Sequence, residues 1–338
     1  MKIVHLLLTT RFAGSERYAV ELANAQAAAG HEVVMVLHKR GAEQRPDAIA
    51  HRLDARVRRV LVGGWRPLAI WAARRAVDAE APDVAHAHLS LGCRALHGRR
   101  KAGLRVATLH IRYKPSQHDD LDALIAIAPW QLAGMPEARL KHTRQIDNWT
   151  AAGPFDPAAR ARVRAEFGIA EGDYVIGALG RCDASKGLDA LIDAYEAARP
   201  AGTRLVIAGG GAEWASLRRK AAADIVMPGF VARPQDWFSA MDAFVSAATS
   251  EPFGLVFLEA MAAGLPLVAT ASEGGRLFEQ RLCQPLVPVG DRSALQQALA
   301  LLGKTRPGRC SHDLTAYAID TAAARIEAFY LSELQASA

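Results

Sequence analysis

Residues 251–270 read EPFGLVFLEAMAAGLPLVAT, a loop, a helix and a strand in immediate succession. The helix is expected from Gly254 to Ala263, and the apolar residues Leu267–Ala269 after it predict a buried strand. Another short apolar run, Ala243–Ser246, precedes the stretch. A strand, a helix and a second strand in this order are typical of a βαβ unit, in which the two strands lie parallel.

The same rhythm continues along the rest of the chain. Runs rich in Val, Ile and Leu lack the alternation of half-exposed strands, which indicates strands covered on both faces. The further predicted strands are Lys2–Leu8, Glu32–Leu37, Val57–Val62, Val84–Ala87, Arg105–Leu109, Ala123–Ile127, Tyr174–Leu179, Arg204–Ala208 and Ile225–Met227. The predicted helices between them include Ser15–Ala29, Leu68–Ala79, Gly187–Ala197, Glu213–Ala222 and Gln235–Ala240. The sequence therefore predicts an α/β protein with two parallel sheets.

A chain of 338 residues favours two domains, since single cores stop growing beyond roughly 250–300 residues. A Gly and two Pro interrupt the pattern in DNWTAAGPFDP, residues 147–157. We therefore divide the chain into domains 1–152 and 153–315, followed by a C-terminal helix within 316–338. The residues alone leave open on which domain this helix packs; one placement has it crossing back to the N-terminal domain.

Composition limits the class of protein. Hydrophobic residues make up 51% and charged residues 22%, so two ordinary cores are expected. No apolar run approaches the roughly 20 residues that span a bilayer, and the start MKIVHLLL is typical of a buried strand rather than a signal peptide. The four cysteines are far apart and form no metal-binding or redox spacing. We expect reduced thiols in a cytoplasmic protein.

The net charge of +6 is unevenly distributed: residues 1–150 carry 23 Lys and Arg against 14 Asp and Glu. Basic clusters lie at Arg56–Arg59, Arg74-Arg75 and Arg99–Lys101, near the two tryptophans of 65–71, WRPLAIW. Basic residues beside interfacial aromatics can hold a protein on an anionic membrane. Peripheral attachment to the inner leaflet, with a lipid-linked acceptor, is one hypothesis; core tryptophans beside a solvated basic face are the alternative. No nucleic-acid partner is expected, because the clusters lack interleaved aromatics and a recognised motif.

Candidate ligand-binding residues follow the strands of the second half, because ligands bind beyond the carboxyl ends of open parallel sheets. Arg181 and Lys186 share the turn after Tyr174–Leu179 and can point at one anion. The planar guanidinium of the arginine and the compact charge of the lysine together suit a diphosphate. Gly209–Gly211 and Met227–Val231 also follow strands. For each of these three turns, an ordinary structural turn is the alternative to ligand binding.

The stretch 251–259 is the most informative of these strand exits. Free N–H groups at the start of the helix near Gly254, together with the helix dipole, suit a phosphate. Glu259 lies about one and a half turns further along, where its carboxylate can accept from ribose hydroxyls. Glu251 precedes the helix and can reach a sugar hydroxyl. An anion site flanked by two acidic acceptors predicts a nucleotide-sugar ligand.

In this respect the sequence resembles the retaining glycosyltransferases with the GT-B fold and an E-x7-E motif, the family 4-like, group 1 enzymes. The matching stretches, in the family's order, are AGSERYAVELANAQAAAGHEV (13–33), DVAHAHL (83–89), VATLHI (106–111), GRCDASKG (180–187), VIAGGGAE (206–213), GFV (229–231) and EPFGLVFLEAMAAGLPLVAT (251–270). The resemblance implies two Rossmann-like domains with parallel sheets facing each other across a cleft. The N-terminal domain would bind the acceptor and the C-terminal domain the donor.

Carried over residue by residue, the resemblance implies roles for individual side chains. Four residues would be catalytic: Arg181 and Lys186 would neutralise the donor diphosphate, Glu251 would contact the transferred sugar, and His110 would face that sugar from across the cleft. The remaining donor-binding residues that we expect are Gly14, Gly210, Val231, Phe253, Gly254, Leu255 and Glu259. The sequence departs from the family at Asp147–Thr150, where Asn-Gly-Val-Asp is usual, and at Ala13-Gly14-Ser15, where two glycines are commoner.

The resemblance also implies transfer with retention of anomeric configuration to a glycan or glycolipid acceptor of the cell envelope. It implies a UDP- or GDP-sugar donor, no cofactor and no metal. Two other functions stay open. A sugar-nucleotide epimerase would need acid–base residues in the cleft, which the Arg181/Lys186 pair does not supply. A non-catalytic nucleotide- or glycan-binding module would not need all four of the charged residues Arg181, Lys186, Glu251 and Glu259. A nicotinamide dehydrogenase is a third alternative, but its G-x-G-x-x-G fingerprint is missing.

Overall fold

A computed structural model describes residues 1–98 and 102–337. The predicted basic cluster Arg99–Lys101 lies outside these residues. The chain folds as two compact units. The first unit combines Met1–Trp149 with the stretch from Ala316 onward, and the second unit is Thr150–Thr315. Among the described residues, no helix combines the length and the apolar character that crossing a membrane requires.

The first unit is built on a sheet of seven strands, ordered β3-β2-β1-β4-β5-β6-β7, in which every neighbouring pair is parallel. The strands are β1 Lys2–Leu7, β2 Glu32–His38, β3 Arg58–Val62, β4 Val84–His88, β5 Leu104–Leu109, β6 Ala123–Ala126 and β7 Thr143–Gln145. The helices before the domain boundary are α1 Gly14–Ala28, α2 Arg66–Glu80, α3 Leu89–Leu96, α4 Pro115–His118 and α5 Glu137–Leu140. The C-terminal helix Ile319–Ser337 also belongs to this unit, where it packs against α1.

One strand, β7, and three helices of this unit, α3 and the four-residue α4 and α5, were not expected from the sequence. Strand β7 is three residues long and reads Thr-Arg-Gln, so it offers no apolar run to a pattern-based prediction. It is formed because the edge of β6 supplies backbone partners for it. Helix α3 follows β4 directly, and its first residue, Leu89, has a φ of +63°.

The second unit is built on a parallel sheet of five strands, ordered β10-β9-β8-β11-β12. Its strands are β8 Tyr174–Leu179, β9 Thr203–Ala208, β10 Val226–Gly229, β11 Ala243–Ser246 and β12 Leu267–Ala269. The helices that follow α5 in chain order are α6 Pro157–Glu166, α7 Leu188–Ala198, α8 Trp214–Lys220, α9 Pro234–Ala240, α10 Leu255–Ala262, α11 Glu273–Leu277, α12 Arg292–Thr305 and the C-terminal helix α13 Ile319–Ser337. All five strands of this sheet were predicted.

The strand order fixes where each sheet can hold a ligand. Each central strand is buried on both faces, so ligands have access only at the strand ends. In open α/β sheets the ligand crevice opens where the strand order reverses, beyond the carboxyl ends of the strands. That point lies between β1 and β4 in the first unit and between β8 and β11 in the second.

Candidate functional site

A small cleft opens at the switch point of the second sheet, beyond the carboxyl ends of β8 and β11. Its polar lining includes three residues singled out from the sequence, Arg181, Lys186 and Glu251. Val256, from the first turn of α10, lines the same cleft. The topology thus brings together side chains from two separate loops and one helix start.

Lys186 and Glu251 form an ion pair in this cleft. The Lys186 ammonium lies 2.5 Å from a carboxylate oxygen of Glu251, and both side chains are largely shielded from solvent. The Lys186 turn is fixed from both sides: the Asp183 side chain accepts from the N–H of Ser185, and the Ser185 carbonyl accepts from the N–H of Thr249. The loops after β8 and β11 are therefore tied together at their tips.

Arg181 lies at the open side of the cleft. Its side chain is 76% exposed, and its guanidinium lies 3.3 Å from the carboxylate of Asp183. An ion pair this exposed contributes little to stability and costs little to rearrange. The guanidinium is therefore free to turn toward an anion in the cleft.

The start of α10 has the geometry that anion binding requires. Gly254 caps the helix with a φ of +88° and ψ of +62°, a left-handed conformation that favours glycine. A Cβ at this position would lie 2.4 Å from the Phe257 ring. The backbone therefore enters the helix through a glycine that no larger residue can replace without movement. The Phe257 N–H donates to the Gly254 carbonyl at 2.9 Å, whereas the N–H groups of Leu255 and Val256 come before any intrahelical acceptor and are available at the helix start.

The start of helix α11, with Ser272 as its N-cap, was missed by sequence reasoning and supports Glu251. The Glu251 N–H donates to the Glu273 carboxylate at 3.1 Å, and the Gly274 N–H donates to the Glu251 carbonyl at 2.7 Å. A Cβ on Gly274 would lie 2.6 Å from the carbonyl oxygen of Phe253. The signal available in the sequence was the Gly274-Gly275 pair, which begins five residues beyond Ala269, the last residue of β12.

The other expected donor-binding residues of the second unit do not line this cleft. Gly210 follows β9 and packs beside Phe230, whose Cβ would lie 3.4 Å from a Cβ at Gly210. Val231 follows β10, on the far side of β9. The Phe253 side chain is 2% exposed and packs edge-on against Phe278, so only its backbone can reach a ligand. Glu259 lies half-buried on α10, one turn beyond Leu255.

In the first unit, His110 belongs to a buried chain of histidines that crosses the sheet. His5 on β1 bonds His88 on β4 at 3.0 Å, and His88 bonds His110 after β5 at 3.3 Å. At the far end, His5 Nε2 bonds Gln26 Oε1 at 2.7 Å. A fourth histidine, His86, bonds Thr108. Its other ring nitrogen bonds the Tyr330 hydroxyl at 2.6 Å.

Burial sets the charge of these imidazoles. Desolvation lowers the pKa of His5 to about 4 and that of His110 to about 3, and it holds the pKa of His86 and His88 well below the usual histidine value. Although His5, His86 and His88 lie close enough to share a metal ion, each of their ring nitrogens has a hydrogen-bond partner within the protein. The cluster is therefore a network of neutral, hydrogen-bonded imidazoles.

A larger cavity, of about 1000 Å³, lies beyond the carboxyl ends of β1, β2 and β3 in the first unit. It is lined by Ala13 and Glu16, the residues that flank the exposed Gly14 at the start of α1. The Glu16 carboxylate accepts from the N–H of Ala13 at 3.2 Å and closes this helix start. Around the rim stand four basic side chains, those of Arg11, Lys39, Arg40 and Arg66.

The two tryptophans of 65–71 are on the surface rather than in a core. Trp65 is 69% exposed and Trp71 is 56% exposed, and Leu68 between them in the chain is exposed too. The guanidinium of Arg75 lies 5.0 Å from the centre of the Trp71 ring. Part of the predicted basic face is neutralised, because Arg56 pairs with Asp54 and Arg58 with Glu80.

Comparison with known proteins matches this architecture. Residues 12–170 match the family model described as Glycosyltransferase Family 4, and residues 173–304 match the one described as Glycosyl transferases group 1. The chain is 28% identical over 295 residues to the lipopolysaccharide core biosynthesis glycosyltransferase LpsD of Rhizobium meliloti (strain 1021), covering 81% of this chain and 79% of LpsD. It is also 28% identical over 312 residues to LpsE of the same strain, a lipopolysaccharide core biosynthesis glycosyltransferase, covering 88% of each.

Among solved structures, Anabaena Alr3699/HepE in complex with UDP and glucose superposes with a TM-score of 0.74 at 19% identity, over 99% of this chain and 98% of that protein. At 19% sequence identity, this structural similarity shows the fold alone. It confirms the predicted fold class, two parallel-sheet α/β domains of the GT-B kind.

Proposed function

Since the chain belongs to the glycosyltransferases of group 1 and family 4, we propose that it moves a sugar from a nucleotide-sugar donor to an acceptor of the cell envelope, with retention of anomeric configuration and without a metal. The observation that carries this proposal is the convergence of Arg181, Lys186 and Glu251 with the start of α10 on one cleft. A diphosphate needs cationic side chains and N–H donors, and this cleft offers both.

In this proposal the donor is a UDP- or GDP-sugar. Arg181 and Lys186 bind the diphosphate, the N–H groups of Gly254 and Leu255 bind a phosphate, and Glu259 accepts from the ribose hydroxyls. Glu251 contacts the transferred sugar while its ion pair keeps the Lys186 ammonium in place. Gly210, Val231 and the backbone of Phe253 border the nucleoside, and Gly14 lies near the diphosphate.

The chemistry is a substitution at the anomeric carbon. The bond from that carbon to the diphosphate oxygen breaks, a bond to the acceptor oxygen forms on the same face, and the departing phosphate takes the acceptor's proton. The protein then acts by holding the reactants and stabilising charge on the diphosphate as it leaves. The Lys186 ammonium and the α10 dipole act on that charge, the role that a divalent cation plays in other transferases.

We further propose that His110 contacts the transferred sugar as a neutral imidazole of fixed tautomer. Gln26 Oε1 accepts a hydrogen bond from Nε2 of His5, so Nε2 carries the proton of that ring. Nδ1 of His5 then has a lone pair and accepts from Nε2 of His88. Nδ1 of His88 then accepts from Nε2 of His110. This leaves a lone pair on Nδ1 of His110, which can accept a hydrogen bond from a sugar hydroxyl.

For the acceptor we propose a lipopolysaccharide-core or related glycolipid, in keeping with the names of LpsD and LpsE. The enzyme would then act at the inner face of the cytoplasmic membrane as a peripheral protein. The exposed patch formed by Trp65, Leu68 and Trp71 on α2 and the residue before it, with Arg75 beside it, supports this placement. Aromatic and basic side chains together suit the interface of an anionic bilayer.

Product analysis tests the proposal. The purified enzyme is incubated with UDP- or GDP-sugars, with and without a lipopolysaccharide-core acceptor, and released nucleoside diphosphate and the new glycosidic linkage are measured. We expect release that depends on the acceptor, and a product with the donor's anomeric configuration by NMR. Epimerised donor without release would indicate an epimerase, binding without turnover would indicate a binding module, and an inverted product would overturn retention.

A further inference from the structure

The cavity of the first unit is bordered by the loops that follow three neighbouring strands. Thr9–Ala13 follow β1, His38–Arg40 follow β2, and Gly64–Arg66 follow β3. The carboxyl ends of parallel strands form the ligand-binding edge of such a sheet. With a volume of about 1000 Å³, the cavity is large enough for a substituted sugar.

Positive charge in this cavity is not balanced by the protein. Arg11 has a distant partner, Asp47 at 3.7 Å, at a well-exposed position. Among the described residues, no carboxylate lies within 4.0 Å of Lys39, Arg40 or Arg66. The one acidic residue in the lining, Glu16, is buried and accepts from the backbone at the start of α1.

The loops that carry these cations are held in place from behind. The Arg45 guanidinium donates to the carbonyl of Thr10 in the first loop and to that of Arg40 in the second, the latter at 3.0 Å. His38 Nε2 bonds the Gly64 carbonyl at 3.1 Å, and His38 Nδ1 accepts from the Arg40 N–H at 3.2 Å. Through its bond to Gly64, His38 ties the second loop to the third.

Two further features of the lining indicate a polar ligand. The hydroxyl of Thr9 is buried and has no hydrogen-bond partner among the described residues, although buried hydroxyls are normally paired. Trp65 stands at the rim with its ring largely exposed. Aromatic rings of this kind offer a flat apolar face to a sugar ring.

We infer that this cavity is a subsite for an anionic group on the acceptor sugar, a phosphate monoester or a carboxylate. The inference rests on the proposed glycosyltransferase function and names the substrate class of its acceptor. Arg40, Arg66 and Lys39 bind the anion, and Trp65 packs on the sugar that carries it. Guanidinium forks match the paired oxygens of either anion, and a dianionic phosphate balances the charge of the three cations better than a carboxylate does.

Direct binding tests the inference without requiring turnover. Glucose 6-phosphate, glucuronate and glucose are titrated into the full-length protein, and binding is followed by calorimetry. We expect glucose 6-phosphate to bind more tightly than glucuronate, and glucose to bind more weakly than either. The variant Lys39→Gln/Arg66→Gln should lose about tenfold or more in affinity for the phosphate probe. Lys141→Gln, an exposed lysine of the same unit, is the matched control and should bind like the wild type.

Equal affinity for glucose and the two anions would overturn the inference, and so would wild-type affinity for glucose 6-phosphate in the Lys39→Gln/Arg66→Gln variant. Loss of glucose 6-phosphate binding in Lys186→Ala would also overturn it, because the anion would then bind to the second unit. A separate titration with UDP- and GDP-sugars reports on the donor. If neither nucleotide sugar binds, the proposed function fails, while the result for the glucose 6-phosphate site is read independently.

Discussion

The ammonium of Lys186 and the carboxylate of Glu251, 65 residues apart in sequence, meet at 2.5 Å between the loops that leave β8 and β11. These two strands are neighbours at the point where the order of the second sheet reverses. The pair holds a cation beside the start of α10, with Arg181 at the open side. The positive charge proposed for the donor diphosphate is thus fixed before any ligand arrives.

Replacing Lys186 with alanine removes this fixed charge. We expect turnover by Lys186→Ala to fall by about a hundred- to a thousandfold, the usual effect of losing one preorganised donor to a developing charge. Steady-state release of nucleoside diphosphate measures it. Lys304→Ala, which removes an exposed lysine on α12, is the control and should turn over normally. Circular dichroism and melting should show both variants folded, and near-normal turnover by folded Lys186→Ala would contradict the assignment.

Gly187, directly after Lys186, allows the close approach of the two loops. Its φ is +60°, and a Cβ there would lie 2.1 Å from the carbonyl oxygen of Ala247. We expect Gly187→Ala to lose activity and to be destabilised by more than the roughly 1–2 kcal/mol that a left-handed alanine costs. Gly168→Ala is the matched control, because Gly168 has a φ of +62° with nothing within 4 Å of its Cβ position.

Urea denaturation of both variants measures the difference. Equal losses of stability in Gly187→Ala and Gly168→Ala would show that backbone strain alone, without the collision at Ala247, explains the effect.

The fold was predictable because its signals are local. Eleven of the strands have apolar runs that stand out from their neighbours, whereas β7 does not, since the polar edge strand Thr143–Gln145 forms only against β6. The position of the Lys186 cleft followed from the same local signals, because motifs at strand ends gather at one edge of a parallel sheet.

What could not be predicted depends on contacts between distant segments. His5 and His88 are 83 residues apart and meet because β1 and β4 are neighbours in the sheet, so the sequence showed single histidines rather than a chain. The support of Glu251 by Glu273 and Gly274 depends on the start of α11, which lies near Glu251 because β12 pairs with β11. Phe253 seemed a candidate for ligand contact by its position, but its side chain is buried against Phe278.

The histidine network makes the stability of the first unit sensitive to acid. The folded protein holds His5, His86, His88 and His110 neutral, while the unfolded chain protonates them near pH 6.5. Below that pH the unfolded state binds more protons than the folded state does, so the free energy of unfolding falls as the pH drops. For His5 this fall continues until the pH reaches the pKa of the folded state, about 4. Well within this pH range, each histidine lowers the free energy of unfolding by about 1.4 kcal/mol for every unit that the pH falls.

Calorimetric melting at pH 7.5, 6.5 and 5.5 measures this effect. We expect a smaller drop in Tm from pH 7.5 to 6.5 than from pH 6.5 to 5.5. The variant His5→Asn/His88→Asn should lose less between pH 7.5 and 5.5 than the wild type does. His51→Asn, at an exposed position, should behave like the wild type. A Tm that does not respond to pH between 7.5 and 5.5 would contradict neutral burial of the cluster.

The exposed aromatic patch predicts membrane binding that depends on lipid charge. Co-sedimentation with liposomes should be stronger for vesicles with anionic lipid, and Trp65→Ser/Trp71→Ser should reduce the bound fraction several-fold. Leu140→Ser, which removes an exposed apolar side chain elsewhere on the same unit, is the control and should bind normally. Binding that is equal for neutral and anionic vesicles would rule out the proposed peripheral attachment.

In the proposed donor site, the second unit holds the diphosphate beside the start of α10. A crystal structure of the protein with UDP or GDP, whichever raises the melting temperature more, would show where the diphosphate binds. We predict a diphosphate within hydrogen-bond distance of the Lys186 ammonium and the N–H groups of Gly254 and Leu255. A diphosphate bound elsewhere, with Lys186 still paired only to Glu251, would contradict the account.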